Sequence, residues 1–175
     1  MPLGTNYEQQ DCTLARALEI LGERWTMLVL RDCFYGVRRF SHLLAHLDIS
    51  RAVLTDRLAK LVEAGVLERR TEDGHPVYEL TEAGVATWPG LYALMRWGER
   101  FWEAGRGTRV FEHEACGTAI DDQGACPRCG IVPGPADLVR MPSTDPEPDP
   151  RWAERSDPVS VRLREPHRLL TPLFP

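Results

Sequence analysis

The stretch from Ser50 to Gly65 constrains this chain more than any other, because Leu54, Leu58 and Leu61 recur at i, i+4 and i+7 and so make one apolar stripe on a helix. Ser50 stands where an N-cap is wanted, and Gly65 where the helix must stop. The opposite face holds Ala52, Thr55, Asp56, Ala59 and Lys60. Such a helix buries one narrow side and turns short side chains, with a few long donors, outward. That surface suits a major groove about 12 Å wide. It equally suits an ordinary solvated helix, and periodicity alone does not separate the two.

The neighbouring segments narrow the choice. Upstream, Leu14, Leu18 and Leu21, then Leu28, Leu30 and Phe34, predict two helices within residues 12–34, parted at Gly22. A third runs from about Phe40 to Leu47, with Leu43, Leu44 and Leu47 on one side. Downstream, the runs 66–70 and 76–80 flank Glu72-Asp73-Gly74-His75, which predicts a two-stranded hairpin. From Thr81 a further helical region carries Trp88, Leu91, Leu94, Met95, Trp97, Phe101 and Trp102, with Pro89 starting or kinking a helix. It is too aromatic to remain in water. A short helix, a tight connection, a polar-faced helix and a basic hairpin follow in the order of a winged helix-turn-helix. The expected fold class is therefore mainly α with a small β-wing.

A net charge of −5 over 175 residues argues against a chain that coats nucleic acid through a generally basic surface. Charge is instead local. Residues 38–70 hold seven basic and four acidic side chains, a patch of +3 on a body of −8. A basic patch on an acidic body confines phosphate attraction to one face. No window approaches 18 consecutive apolar residues, and MPLGTNYEQQ lacks a basic region followed by an apolar run, so a soluble, cytoplasmic protein without membrane contact is expected.

The segments CTLARALEILGERWTMLVLRDCFYGVRRFSHLLAHLDISRAVLTDRLAKLVEAGVLERR and PVYELTEAG resemble the HxlR-type winged helix-turn-helix regulators of the wider MarR-like group, over roughly residues 12–104. The likeness rests on Cys12, Gly22 with Trp25 and Thr26, Gly36 with Arg39 and Phe40, Ile49 with Ser50 and Leu54, and Val77 through Gly84. Two departures stand out: Glu23-Arg24 replaces the Gly-Lys or similar pair usual before Trp, and the wing turn is short. The resemblance implies a homodimeric regulator of double-stranded DNA, with Trp97, Phe101, Trp102 and first-helix residues shared between subunits. On that reading helix 50–64 enters the major groove, where Arg51, Ala52, Thr55 and Asp56 approach base edges. Arg38, Arg39, Ser41, Ser50, Arg57 and Lys60 would hold phosphates, and Arg69, Arg70 and His75 of the wing 66–80 would meet the backbone or minor groove. Asp56 must accept from a cytosine amino group or orient an arginine, since phosphate repels it.

His113-Glu-Ala-Cys116-Gly and Cys126-Pro-Arg-Cys129-Gly are two ligand pairs of x₂ spacing, each followed by glycine and separated by residues 117–125. Two such turns make a tetrahedral Cys₃His set for one structural zinc ion per chain, with no open position for catalysis. Two cysteines lie outside the cluster. Cys12, at the start of the first helix, is either a small packed hydrophobe or a thiol activated by the helix dipole; in part of the resembling family the corresponding cysteine senses oxidants or electrophiles. Cys33, within an apolar helix, is read as packing.

Three stretches are thus expected: 1–107 for DNA binding and dimerisation with its own core, 108–141 as the zinc-ribbon-like segment, and 142–175 as a Pro-rich linker and a tail that either packs weakly or stays loose. The function expected is sequence-specific transcriptional regulation, responsive to a small-molecule or redox effector. The alternative is a zinc-stabilised protein-interaction module that no longer reads DNA. An enzyme is not expected, for want of a nucleophile elbow, phosphate loop or open metal site.

Overall fold

The computed structural model describes Tyr7 and residues 9–102, 109–143 and 153–174. Four helices come first: α1 (Thr13–Leu21), α2 (Thr26–Phe34), α3 (Phe40–Leu47) and α4 (Arg51–Glu63). The α4 limits follow from local chemistry. Ser50 Oγ accepts from the Val53 N–H at 3.2 Å, and Gly65 takes φ +69° just beyond the last turn. Leu54, Leu58 and Leu61 are buried, as their spacing predicts.

The wing follows as strands β1 (Leu67–Glu72) and β2 (His75–Leu80), antiparallel, with Leu67 opposite Leu80 and Glu72 opposite His75. Only Asp73 and Gly74 separate them, both at positive φ, the geometry that matches the strand twist in a two-residue hairpin. Thr81 joins wing to body: its hydroxyl donates to the Gly65 carbonyl at 2.6 Å and accepts from the Gly84 N–H at 3.2 Å, starting the short α5 (Glu82–Val85). Pro89 sits in the first turn of α6 (Trp88–Phe101), where a missing N–H costs nothing, so it starts the helix and does not kink it.

The remainder forms a four-stranded sheet of order β4-β3-β5-β6, from β3 (Phe111–His113), β4 (Thr118–Ala119), β5 (Leu138–Arg140) and β6 (His167–Arg168), with α7 (Pro158–Arg162) before the last strand. This sheet shares its interior with the helices. Trp88 meets Phe34 at 5.0 Å and Phe111 at 5.3 Å between ring centroids, and Tyr92 donates its hydroxyl to the Asp121 carbonyl at 2.8 Å. One core therefore runs from Leu30, Phe34 and Leu54 through Phe111 and Leu138 to Val159, Leu169 and Leu173.

One expectation is corrected here. The winged part does not own a separate core, because Trp88 and Tyr92 in the N-terminal half of α6 pack on Phe111. Of the two expectations for the C-terminal stretch, packing is the one seen over its described residues. The Leu170 and Leu173 N–H groups donate to the Phe34 and Gly36 carbonyls, each at 2.9 Å, and Phe174 stacks on His42 at 4.1 Å. Arg155 donates to the Ala45 and His46 carbonyls, satisfying the free end of α3. The 107/108 boundary and Pro146, Pro148 and Pro150 lie outside the described residues.

Beneath the helix-turn-helix lies a charged cluster built around a fully buried carboxylate. Asp32, with no exposed surface, accepts from Arg31 and faces His46 Nδ1 at 2.6 Å. Burial alone would raise the Asp32 pKa, but Arg31 and His46 outweigh it and hold the carboxyl below its ordinary range. Burial and the Asp32 charge push the Cys33 thiol far up, so this cysteine packs and does not react, as expected of it.

Candidate DNA-binding face and metal centre

The N-terminal half of α4 presents Arg51, Ala52, Thr55 and Asp56 to solvent, with Ser50 exposed just before them. Thr55 donates its hydroxyl back to the Arg51 carbonyl at 2.8 Å, and the Arg51 guanidinium lies over the Phe40 ring at 5.3 Å. Ser41 is exposed on α3, Arg39 is half-buried at its N-cap, and Arg69, Arg70 and His75 are exposed on the wing.

The structure divides the seven basic side chains of residues 38–70 in a way that their number alone does not show. Arg38 is half-buried and bridges the wing glutamates, meeting Glu79 at 2.7 Å and Glu72 at 2.8 Å. Arg70 is paired with Glu68 and Glu79. Arg57, grouped above with the phosphate contacts, is buried; it binds Glu23 at 2.8 Å and also Asp56. Its place in the chain carried the signal, since position 57 is i+3 from Leu54 and i−4 from Leu61 and so falls within the buried stripe. Lys60, half-exposed, lies 3.4 Å from Asp56 and 3.8 Å from Glu23. Among the described residues, Arg39, Arg51 and Arg69 are the members of the patch for which no carboxylate partner is found. Glu23 is the residue that composition and periodicity did not mark, although its departure from the HxlR-type pattern did.

The second constellation is the Cys/His cluster. Strand β3 ends in His113, whose carbonyl accepts from the Cys116 and Gly117 N–H groups, while Cys126 pairs with Ile131 across the second turn. Gly117 and Gly130, one residue after Cys116 and Cys129, take φ of +63° and +69°, which explains a glycine at each bend. The ligand atoms of His113, Cys116, Cys126 and Cys129 all lie within 4.8 Å of one another. Cys116 Sγ stands 3.5 Å from Cys126 Sγ and 3.6 Å from His113 Nδ1. A tetrahedron with zinc–sulfur bonds of about 2.3 Å has edges of about 3.8 Å, so the side chains present fit such an ion. Hydrogen bonding from Thr118 brings the Cys116 thiol down to about 6, whereas the hydrogen bond to Cys116, with desolvation and the nearby Cys126 thiol, pushes Cys129 up to about 11. The Cys116 thiolate thus forms readily at neutral pH.

Cys12 is exposed at the N-cap of α1, in a shallow depression with Gln9, Gln10, Asp11, Thr13 and Arg16. Among the described residues no helix is long and apolar enough to cross a membrane.

A family model described as HxlR-like helix-turn-helix matches residues 20–106. An uncharacterized HTH-type transcriptional regulator of Mycobacterium bovis is 37% identical over 142 residues, spanning 79% of this chain and 86% of the relative. The crystal structure of PA1607, assigned as a transcription factor, is 33% identical and superposes with a TM-score of 0.60, covering 66% of this chain and 83% of that one. A protein assigned to the MarR family of transcriptional regulators, from Porphyromonas gingivalis, is 21% identical with a TM-score of 0.50 over 53% of this chain and 94% of its own, a likeness of fold alone. The matched span takes in α2 to α6, hence the whole helix-turn-helix and wing, and the Mycobacterium bovis relative continues well beyond it in length. The chain accordingly belongs to the HxlR-like helix-turn-helix family, whose members are DNA-binding transcriptional regulators and not enzymes.

Proposed function

We propose that this regulator binds duplex DNA as a homodimer, with α4 in the major groove and the β1–β2 wing on the backbone or minor groove. The observation that carries the reading is the exposed, small and polar N-terminal half of α4, on a helix that leads directly into the wing. Arg51, Ala52, Thr55 and Asp56 then meet base edges, and Arg39, Ser41 and Ser50 meet phosphates; Arg69, Arg70 and His75 place the wing. Lys60 divides its charge between phosphate and its two carboxylate neighbours. Arg38 and Arg57 leave the phosphate set, being engaged within the chain. Dimerisation is supported by Leu94, Trp97, Phe101 and Trp102, 53–75% exposed toward the end of α6, the three aromatic rings touching one another through Trp97. The division of labour follows: residues 1–107 bind DNA and pair, 108–141 hold metal, and within the linker and tail 142–175 the described residues 153–174 pack against the helices, all acting in the cytoplasm.

Recovery of genomic DNA bound to the chain, with light scattering of the free protein, tests the reading: pseudo-palindromic sites with half-sites about 10 base pairs apart or a multiple are expected, from a dimer. A monomer with no enriched sequence would overturn it. Arg51→Ala is expected to weaken binding to recovered sites by about 1 to 3 kcal/mol, and Arg69→Ala to weaken all sequences alike and flatten the salt dependence. Equal losses on recovered and random duplexes for Arg51→Ala would remove it from the base readers.

We further propose that His113 (through Nδ1), Cys116, Cys126 and Cys129 hold one zinc ion. Bound there, zinc supplies four bonds that cross-link β3 to the Cys126–Cys129 turn, and no chemistry. As the candidate sensor, Cys12 is expected to make DNA affinity oxidant-sensitive in the wild type and not in Cys12→Ser. An identical response in both proteins would make Cys12 a packing residue.

A further inference from the structure

The α1–α2 connection reaches across to the recognition helix through one side chain. Glu23, half exposed, sends Oε2 to Arg57 Nη1 at 2.8 Å and Oε1 toward Lys60 Nζ at 3.8 Å. Asp56 Oδ2 meets the same two cations, accepting from Arg57 and lying 3.4 Å from Lys60. Two carboxylates thus neutralise two cations along one flank of α4. The cations are unlike in freedom: the Arg57 side chain is 10% exposed and held in place, whereas Lys60 is 52% exposed on a flexible stem.

We propose that Glu23 is a positioning residue for DNA binding: with Asp56 it occupies Lys60 and Arg57 as phosphate oxygens would, and so sets how tightly this face holds any duplex. The proposal rests on the groove-binding reading above. Phosphate and the Glu23 carboxylate compete for one ammonium group, and the displaced carboxylate then lies against the DNA backbone and repels it. Removing its charge leaves Asp56 alone to answer both cations, and with Asp56 drawn to the buried Arg57, Lys60 is more available to phosphate. Each phosphate newly neutralised adds about 0.9 to the slope of log affinity against log salt, which near 0.15 M salt is roughly a fivefold gain. The gain carries no sequence information, because backbone contacts do not distinguish bases.

The test uses the full chain, a random-sequence duplex and a salt series, with wild type, Glu23→Gln, Lys60→Gln and the double variant. Glu23→Gln is expected to bind several-fold tighter, with a slope steeper by about 1. Lys60→Gln is expected to flatten the slope less in the wild type than in the Glu23→Gln background. A merely structural Glu23 would give weaker binding at every salt with an unchanged slope, and that result, or no change, overturns the proposal. Should Glu23→Gln fold poorly, Lys60→Gln alone decides: a full loss of about 1 in slope from the wild type shows Lys60 already given to phosphate, and its retention shows it withheld. A wild type that binds neither random nor recovered genomic DNA would overturn the groove reading itself, and this proposal with it.

Discussion

Cys126→Ser protein is expected to carry no zinc, against one ion per chain in the wild type, and to lose about 5 kcal/mol or more of stability. Apparent zinc-binding energies in small sites are on the order of 10 kcal/mol. The sheet they would staple is small: β4 and β6 are two residues each, and β3 and β5 three. Without the ion, the Cys126 turn and the His113 strand are held only by short strand pairs, a few turn hydrogen bonds and contacts from α6. Their release uncovers Phe111 and Leu138, each worth about 1.5 to 3 kcal/mol buried, and exposes the flank of Trp88 and Tyr92. A chain of this size should then melt about 10–20 °C lower. DNA affinity should fall with it, since the core is common to both parts. Elemental analysis, thiol titration and calorimetry check the expectation. Native wild type without zinc, its three clustered thiols all freely titratable, would sink the site; zinc loss with unchanged melting and DNA binding would show the extension to be independent after all.

Gly36→Ala is expected to have the next largest effect, about 2 to 5 kcal/mol of destabilisation, by driving the C-terminal tail off the helix-turn-helix. Gly36 takes φ +79°, and a Cβ there would stand 1.8 Å from the Thr171 carbonyl oxygen and 2.9 Å from the Leu173 nitrogen. Both neighbours are backbone, so neither can rotate away. The left-handed conformation adds about 1 to 2 kcal/mol for a residue with a Cβ. Relief requires the chain near residue 171 to move, which breaks the Leu173-to-Gly36 hydrogen bond and unstacks Phe174 from His42. Hydrogen exchange should show new exposure at Leu170 and Leu173 and in α3, with β1 and β2 unaffected. Wild-type melting and protection in the variant would mean the tail does not dock here.

Most of the helix-turn-helix was legible before any coordinates, and for a local reason. The limits of α3, α4 and the hairpin depend on caps, spacing and turn residues that lie within a few positions of one another. The x₂ ligand pairs are equally local. Gly36 was visible as part of a family pattern, but the carbonyl that makes it necessary lies some 135 residues further along the chain.

What the sequence by itself determined, then, was the order of the first helices and the wing hairpin, which side of α4 is apolar, and which four side chains suit a metal. Only the tertiary structure decided which charges are free. Seven basic residues look alike along the chain, yet Arg38 and Arg70 are taken by wing glutamates, Arg57 and Lys60 by Glu23 and Asp56, and Arg39, Arg51 and Arg69 remain. The tertiary structure also decided that a proline-rich tail packs, because Val159, Leu163, Leu169 and Leu173 have no periodicity of their own and are buried by partners distant in sequence. Secondary structure answers to near neighbours. Pairing of charges and closure of a core answer to contacts across the fold, which spacing along a chain does not encode.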